Sequence, residues 1–152
     1  MKYLTSEAAL LKLQSYCAYQ ERCHQEVQRR LADLGVYGDK ADAIIAQLIT
    51  DNFLNEERFA IAFARGKYRM KTWGKIRIRI ELKQRQVSEY CIRKAIEEVD
   101  KEGHYEESLR ALLIAKSPDY VGRPQQLANI ALRKGFESEL VWQTLKEISN
   151  DL

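Results

Sequence analysis

Two prolines and seven glycines in 152 residues leave little to interrupt a helix. The long intervals between them are rich in Ala, Leu, Glu, Lys, Arg and Gln, the residues that lose least on entering one. The expected class is therefore all-α. Cysteine is scarce and odd in number: Cys17, Cys23 and Cys91 lack the spacing of a disulfide framework and suit a reducing compartment, where thiols act as small hydrophobes. No apolar run approaches the roughly 18 residues that a membrane span requires. The opening MKYLTSEAALLKLQ puts Glu7 and Lys12 where a secretory leader needs an unbroken apolar stretch. The expectation is a cytoplasmic protein without membrane contact.

Catalytic signatures are missing as well. There is no Gly-x-Ser-x-Gly elbow, no His-Glu-x-x-His, no phosphate-cradling glycine loop and no Cys-x-x-Cys pair. Cys17, Cys23 and His24 come nearest to a metal cluster, but their spacing matches no zinc pattern, and His104 lies far off in a polar, linker-like stretch. An enzyme is not expected, nor are catalytic residues, a metal or a cofactor.

What the chain has is a repeat. With 45% hydrophobic and 31% charged residues it is apolar enough to fold around a core. Aligning Gly35-Val36 with Gln86-Val87 and Gly135-Phe136 places an apolar residue eight positions upstream (Val27, Ile78, Leu127) and another four upstream (Leu31, Leu82, Ala131), which is helical spacing. A second amphipathic segment follows each pair: Ile44, Leu48 and Ile49; Ile92, Ile96 and Val99; Val141, Leu145 and Ile148. Further helix-like stretches precede them at 6–20, 56–70 and 105–117. The pattern predicts three tandem three-helix repeats, residues 1–52, 53–103 and 104–152, in an elongated, curved, modular and monomeric array. Gly35 and Gly135 fit left-handed helix ends, Asp39, Asn55 and Ser88 fit N-caps, and Pro124 fits a first turn. Glu56 and Glu57, just after Asn55, would complement a helix dipole.

One segment resists. In KIRIRIEL the apolar residues Ile76, Ile78, Ile80 and Leu82 alternate, which by period alone is a strand signal. On a helix they form two stripes about 160° apart, and both would need partners. No partner strand is visible, so a helix sandwiched between two others is expected.

Charge carries the functional clue. The net charge is only +3, but Arg58 to Arg85 holds ten Lys or Arg against the single acid Glu81, a segment of +9. The rest of the chain, with fifteen bases and twenty-one acids, sums to −6. An ordinary solvated helix face mixes both signs. Here Arg58, Arg65, Lys67, Arg69, Lys71, Lys75, Arg77, Arg79, Lys83 and Arg85 are interleaved with Tyr68 and Trp73, the combination that neutralises phosphates and stacks on bases. Charge alone leaves open whether the partner is phosphate or an acidic protein surface.

Three stretches resemble a known family. Phe53-Leu54-Asn55-Glu56-Glu57-Arg58-Phe59-Ala60 is similar to the Gly-Tyr-Leu-Asp-Asp-x-Arg-Phe-Ala run of the RecX regulators of the RecA recombinase. Gly74-Lys75-Ile76-Arg77-Ile78-Arg79-Ile80-Glu81-Leu82 resembles their Gly-Pro-x-Arg-Ile-x-x-Glu-Leu, and Ile130-Ala131-Leu132-Arg133-Lys134-Gly135-Phe136 their Phe-Leu-x-x-Arg-Gly-Phe. The departures are Lys75 for proline, Gln86 for glycine, and about one extra residue between Lys67 and Trp73. The resemblance implies a protein that lies in the groove of the RecA filament on single-stranded DNA and dampens its ATPase, strand-exchange and coprotease activities, so regulating repair, recombination and the SOS response. It also implies that the ten cations and Trp73 form the RecA- or DNA-facing surface. A stand-alone nucleic-acid-binding helical module is the alternative.

Overall fold

The computed structural model describes residues 4–151, and among them nine α-helices and no strand. They fall into triplets: α1 (Ser6–Tyr19), α2 (His24–Asp33) and α3 (Gly38–Thr50); α4 (Glu56–Lys71), α5 (Lys75–Gln84) and α6 (Glu89–Lys101); α7 (Tyr105–Lys116), α8 (Pro124–Lys134) and α9 (Ser138–Asp151). A 3₁₀ turn, Ser117–Tyr120, links α7 to α8. The aligned apolar residues are the reason for the triplets. Val27, Leu31, Ile78, Leu82, Leu127 and Ala131 are all buried, each on the middle helix of its unit, facing the first and third. Burial of each larger aliphatic side chain is worth about 1.5–3 kcal/mol.

Three apolar cores result. The first gathers Leu13, Leu31, Leu48 and Leu54; the second Phe59, Tyr68, Ile78, Leu82 and Ile92; the third Tyr105, Leu109, Leu127, Phe136 and Val141. Cys23, at the start of α2, packs into the second core while Cys17 sits in the first. The total accessible surface, 9515 Å², exceeds the ~7,900 Å² of a compact monomer of this mass, as an extended array requires.

Local signals place the boundaries. The Thr5, Asn55 and Ser88 side chains accept the amides of Ala8 (3.1 Å), Arg58 (2.9 Å) and Cys91 (3.3 Å). Pro124 opens α8. Gly35 (φ 78°) and Gly135 (φ 99°) end α2 and α8 in left-handed conformation, and Gln86 (φ 60°) does so after α5 without glycine's freedom. Asp39 is not an N-cap: α3 begins at Gly38 behind an extended Tyr37, and Asp39 lies inside the first turn, where its charge still faces the positive end of the dipole.

KIRIRIEL is helical, but it is not sandwiched. Ile78 and Leu82 are fully buried against α4 and α6, whereas Ile76 and Ile80 remain 44% and 49% exposed. One apolar stripe suffices to dock the helix, and the other faces solvent.

The second and third units meet where α5 starts. The first amides of a helix have no partner within it, nor have the last carbonyls. Here each set satisfies the other: the Gly74 amide donates to the Lys134 carbonyl (2.7 Å) and the Ile76 amide to the Gly135 carbonyl (3.0 Å). The Lys75 amide donates to the Tyr105 hydroxyl (3.0 Å). The negative end of α8 thus abuts the positive end of α5. Such proximity excludes a Cβ on either side. One on Gly74 would collide with the Gly135 carbonyl, and one on Gly135 with the Cβ and amide of Arg77.

Gly74 has φ −79°, open to any residue, so Gly74→Ala reports the collision alone. It is expected to cost about 1–3 kcal/mol in urea unfolding. Gly135→Ala should cost about 1–2 kcal/mol more for its left-handed backbone. Losses below about 0.5 kcal/mol for both would mean that the seam does not exist in solution.

Candidate nucleic-acid and partner interface

The ten central cations divide into two sets. Six are neutralised within the molecule. Arg58 donates from Nε to Glu21 (2.6 Å) and from its terminal nitrogens to the Asn52 side chain, the Asn52 carbonyl and the Phe53 carbonyl, tying α4 to the first unit. Arg65 pairs with Glu98 at 3.2 Å and Arg69 with Glu102 at 2.6 Å, which joins α4 to α6 and its C-cap. Lys75 pairs with Asp100, Arg79 with Glu89, and Arg85 with Glu81 (3.0 Å). Except for Glu81, these acids lie outside the basic segment, so the charge is screened by residues distant in sequence and not by i,i+4 neighbours.

Four cations have no acidic partner among the described residues: Lys67, Lys71, Arg77 and Lys83. Two of them converge on Trp73. The Arg77 guanidinium lies 4.1 Å from the ring centroid and the Lys67 ammonium 5.1 Å, within cation–π range. Phe63 meets the same indole edge-on at 6.2 Å and carries Lys67 and Arg85 at 5.6 and 4.7 Å.

The chain reverses into this position through Thr72, a β-branched residue held left-handed (φ 54°, ψ 47°) at the end of α4. A conformation of that kind costs of order 1–3 kcal/mol. It is held by the Thr72 amide on the Tyr68 carbonyl (3.1 Å) and the Trp73 amide on the Lys67 carbonyl (3.3 Å), and it delivers Gly74 to the seam.

The seam adds cations that the sequence reading missed. The Lys134 ammonium donates to the Lys71 carbonyl (2.8 Å), and Arg77 reaches the Arg133 carbonyl (3.4 Å). Arg133 and Lys134 of α8 therefore stand beside Lys71 and Arg77 of the second unit. They lie 56 or more positions away in sequence, and the only hint was their place just before Gly135. Lys83 stands apart from Trp73, exposed on the last turn of α5.

Burial pushes the Cys17 and Cys23 thiols up, away from thiolate reactivity. Among the described residues no cluster of His, Cys, Asp and Glu is arranged to hold a metal, and no helix is long and apolar enough to cross a membrane.

Residues 55–96, which span α4 and α5 and most of α6, match the family model described as RecX, second three-helix domain. The chain is 28% identical over 141 residues to the regulatory protein RecX of Prosthecochloris aestuarii, covering 92% of this chain and 93% of that one. It is 26% identical over 151 residues to the RecX of Bacillus cytotoxicus. The chain is thus similar to RecX proteins along nearly its whole length. It spans about half the length (55%) of the Bacillus relatives it matches. RecX from Lactobacillus salivarius shares the fold with a TM-score of 0.79 at 18% identity over 95% of this chain and 96% of that one. A second RecX structure gives 0.82 at 20% identity over 93% and 71%. The relatives carry the name of regulatory proteins, in keeping with a site built from cations and aromatics.

Tyr105 makes the seam testable. Its hydroxyl accepts from Lys75 and donates to Glu137 (2.6 Å), and its ring packs on Phe136 and Tyr68. Burial, then the bond to the Glu137 carboxylate, raises its pKa above the ordinary value near 10. The phenol stays neutral in the fold while the unfolded chain ionises, so this contribution is whole below pH 10 and lost above it. Tyr105→Phe is expected to cost about 1–3 kcal/mol at neutral pH by orphaning two polar groups. It should also flatten the alkaline decline in stability; an unchanged alkaline profile in urea titrations would contradict this assignment.

Proposed function

We propose that the chain is a RecX-like modulator that binds the RecA filament on single-stranded DNA and dampens its ATPase, strand-exchange and coprotease activities, acting in the cytoplasm as a monomer to regulate DNA repair, recombination and the SOS response. Its three units, taken as residues 1–52, 53–103 and 104–152, give reach along successive protomers, where several weak contacts add as avidity. The observation that carries the reading is the Trp73 cluster: one aromatic ring among Lys67, Lys71, Arg77, Arg133 and Lys134, contributed by two units and held at a fixed spacing by the seam. Cations that are not neutralised within the molecule release counterions when they meet phosphate, and the accessible part of the half-buried Trp73 indole, with the Arg77 guanidinium against it, offers bases a stacking surface irrespective of sequence. Of the six paired cations, Arg58 ties the second unit to the first and the other five pair within the second unit, while the Trp73 group contacts the filament.

Titration into a RecA ATPase assay on single-stranded DNA is expected to show inhibition at stoichiometric amounts. The triple change Lys71→Glu, Arg77→Glu and Lys134→Glu should raise the half-inhibiting concentration by about tenfold or more, equivalent to about 1.4 kcal/mol. Absence of inhibition by the unaltered protein would contradict the reading. Tight, steeply salt-dependent binding to naked single strands together with no effect on RecA would favour the stand-alone nucleic-acid-binding module instead.

A further inference from the structure

The first unit carries a second basic surface, separate from the Trp73 cluster. By sequence the unit is slightly acidic, with six bases and seven acids in residues 1–52. Its cations are nevertheless gathered. A groove of about 550 Å³ between α1 and α2 is lined by Leu11, Lys12, Tyr16, Tyr19, Arg22 and Arg30, with Ser15 at its side and no acidic residue in its walls.

The groove has a rigid floor and an apolar lip. Arg22 is fixed from both ends: Nε donates to the Tyr16 carbonyl (2.9 Å) and a terminal nitrogen pairs with Glu26 at 3.9 Å, leaving the side chain 12% exposed. Its guanidinium lies 3.7 Å from the Tyr16 ring centroid, and that of Arg30 lies 5.9 Å from the same ring. Lys12 and Arg30 are exposed and have no acidic partner among the described residues. Leu11 is 65% exposed and Tyr19 83%, although both are large apolar residues on α1.

We propose that this groove docks an acidic segment of a protein partner, with one apolar side chain seated on Leu11 and Tyr19 and carboxylates on Lys12 and Arg30. Charge complementarity argues for an acidic occupant, since the walls hold no acid and two of their three cations, Lys12 and Arg30, have no acidic partner among the described residues. The lip argues for peptide over nucleic acid: Leu11, 65% exposed, is aliphatic and gives a base no π face, whereas an apolar side chain packs on it and on the neighbouring Tyr19 ring together. Fixed Arg22 loses little entropy on binding, while an apolar anchor surrounded by charge gives the centre-and-rim arrangement of a small interface. The two basic surfaces of the chain would then have different partners, protein at the first unit and single strand at the second–third seam.

The test uses the full chain and a fluorescein-labelled synthetic peptide, Asp-Glu-Asp-Leu-Phe-Asp-Glu-Asp, in anisotropy titrations at low and moderate salt. Binding is expected to weaken about tenfold or more in Lys12→Glu/Arg30→Glu and in Tyr19→Ala, and to survive in Lys71→Glu/Arg77→Glu/Lys134→Glu. Replacing Leu-Phe in the peptide by Ala-Ala should weaken it several-fold. Far-UV helicity is checked for each variant; all the substituted side chains except Arg77 and Lys134 are exposed. Absence of peptide binding, indifference to Lys12→Glu/Arg30→Glu, or equal loss on changing the Trp73 cluster would each overturn the proposal. So would oligothymidylate binding that depends on Lys12 and Arg30, which would make the groove a second nucleic-acid site.

Discussion

The geometry of the site depends on the mutual satisfaction of two helix ends. α5 begins with amides that its own turns cannot satisfy and α8 finishes with carbonyls in the same condition, and packing one against the other removes both deficits. The requirement is steric as much as electrostatic, since the backbones approach closely enough to exclude a Cβ at Gly74 and at Gly135. Tyr105 closes the third open amide with its hydroxyl and seats its ring on Phe136. Because α5 also forms part of the second core, the seam makes two units of a modular array behave locally as one body. The Trp73 cluster stands on that body, with Lys71 and Arg77 from one unit and Arg133 and Lys134 from the other.

The ion pairs show why net charge is a poor guide to a binding surface. A segment of +9 suggests an undivided basic face. In the fold, Glu21, Glu89, Glu98, Asp100 and Glu102, all outside the segment, neutralise cations inside it. Surface pairs of this sort stabilise by at most about 1 kcal/mol each. Their larger effect is on distribution, because two of the four cations left unpaired in the segment, Lys67 and Arg77, converge on one indole. Arg58 illustrates the distinction, since its donors are engaged with Glu21, Asn52 and Phe53 and join the first unit to the second.

Much of the fold was legible because it rests on periodicity. Val27, Ile78 and Leu127 recur at one register, and each is buried on the middle helix of a unit. Helix ends were legible where a side chain or a glycine acts locally, as at Asn55, Ser88, Gly135 and Pro124, and misread at Asp39, where Gly38 starts the helix without a side-chain cap. KIRIRIEL shows the limit of pattern reading: alternation implied two buried faces, whereas docking needed only Ile78 and Leu82. The site was legible in composition but not in pairing. Which cations are neutralised depends on contacts such as Arg58 with Glu21, 37 positions apart, and Lys134 with Lys71, 63 apart. No local pattern encodes these contacts. The groove around Tyr16 was invisible for the same reason, as it forms only when Arg22 folds back over a residue six positions earlier.

If the seam organises the molecule, the amides at the start of α5 must be among its slowly exchanging protons. Amides in the first turn of a helix ordinarily exchange fast, because no carbonyl covers them. Native-state hydrogen exchange by NMR is expected to show the Gly74 and Ile76 amides protected to a degree comparable with the core amides of Ile78 and Leu82. Exchange of Gly74 and Ile76 at the rate of free, exposed amides, with Leu82 still protected, would show that α8 does not cap α5. The second and third units would then be independently mobile.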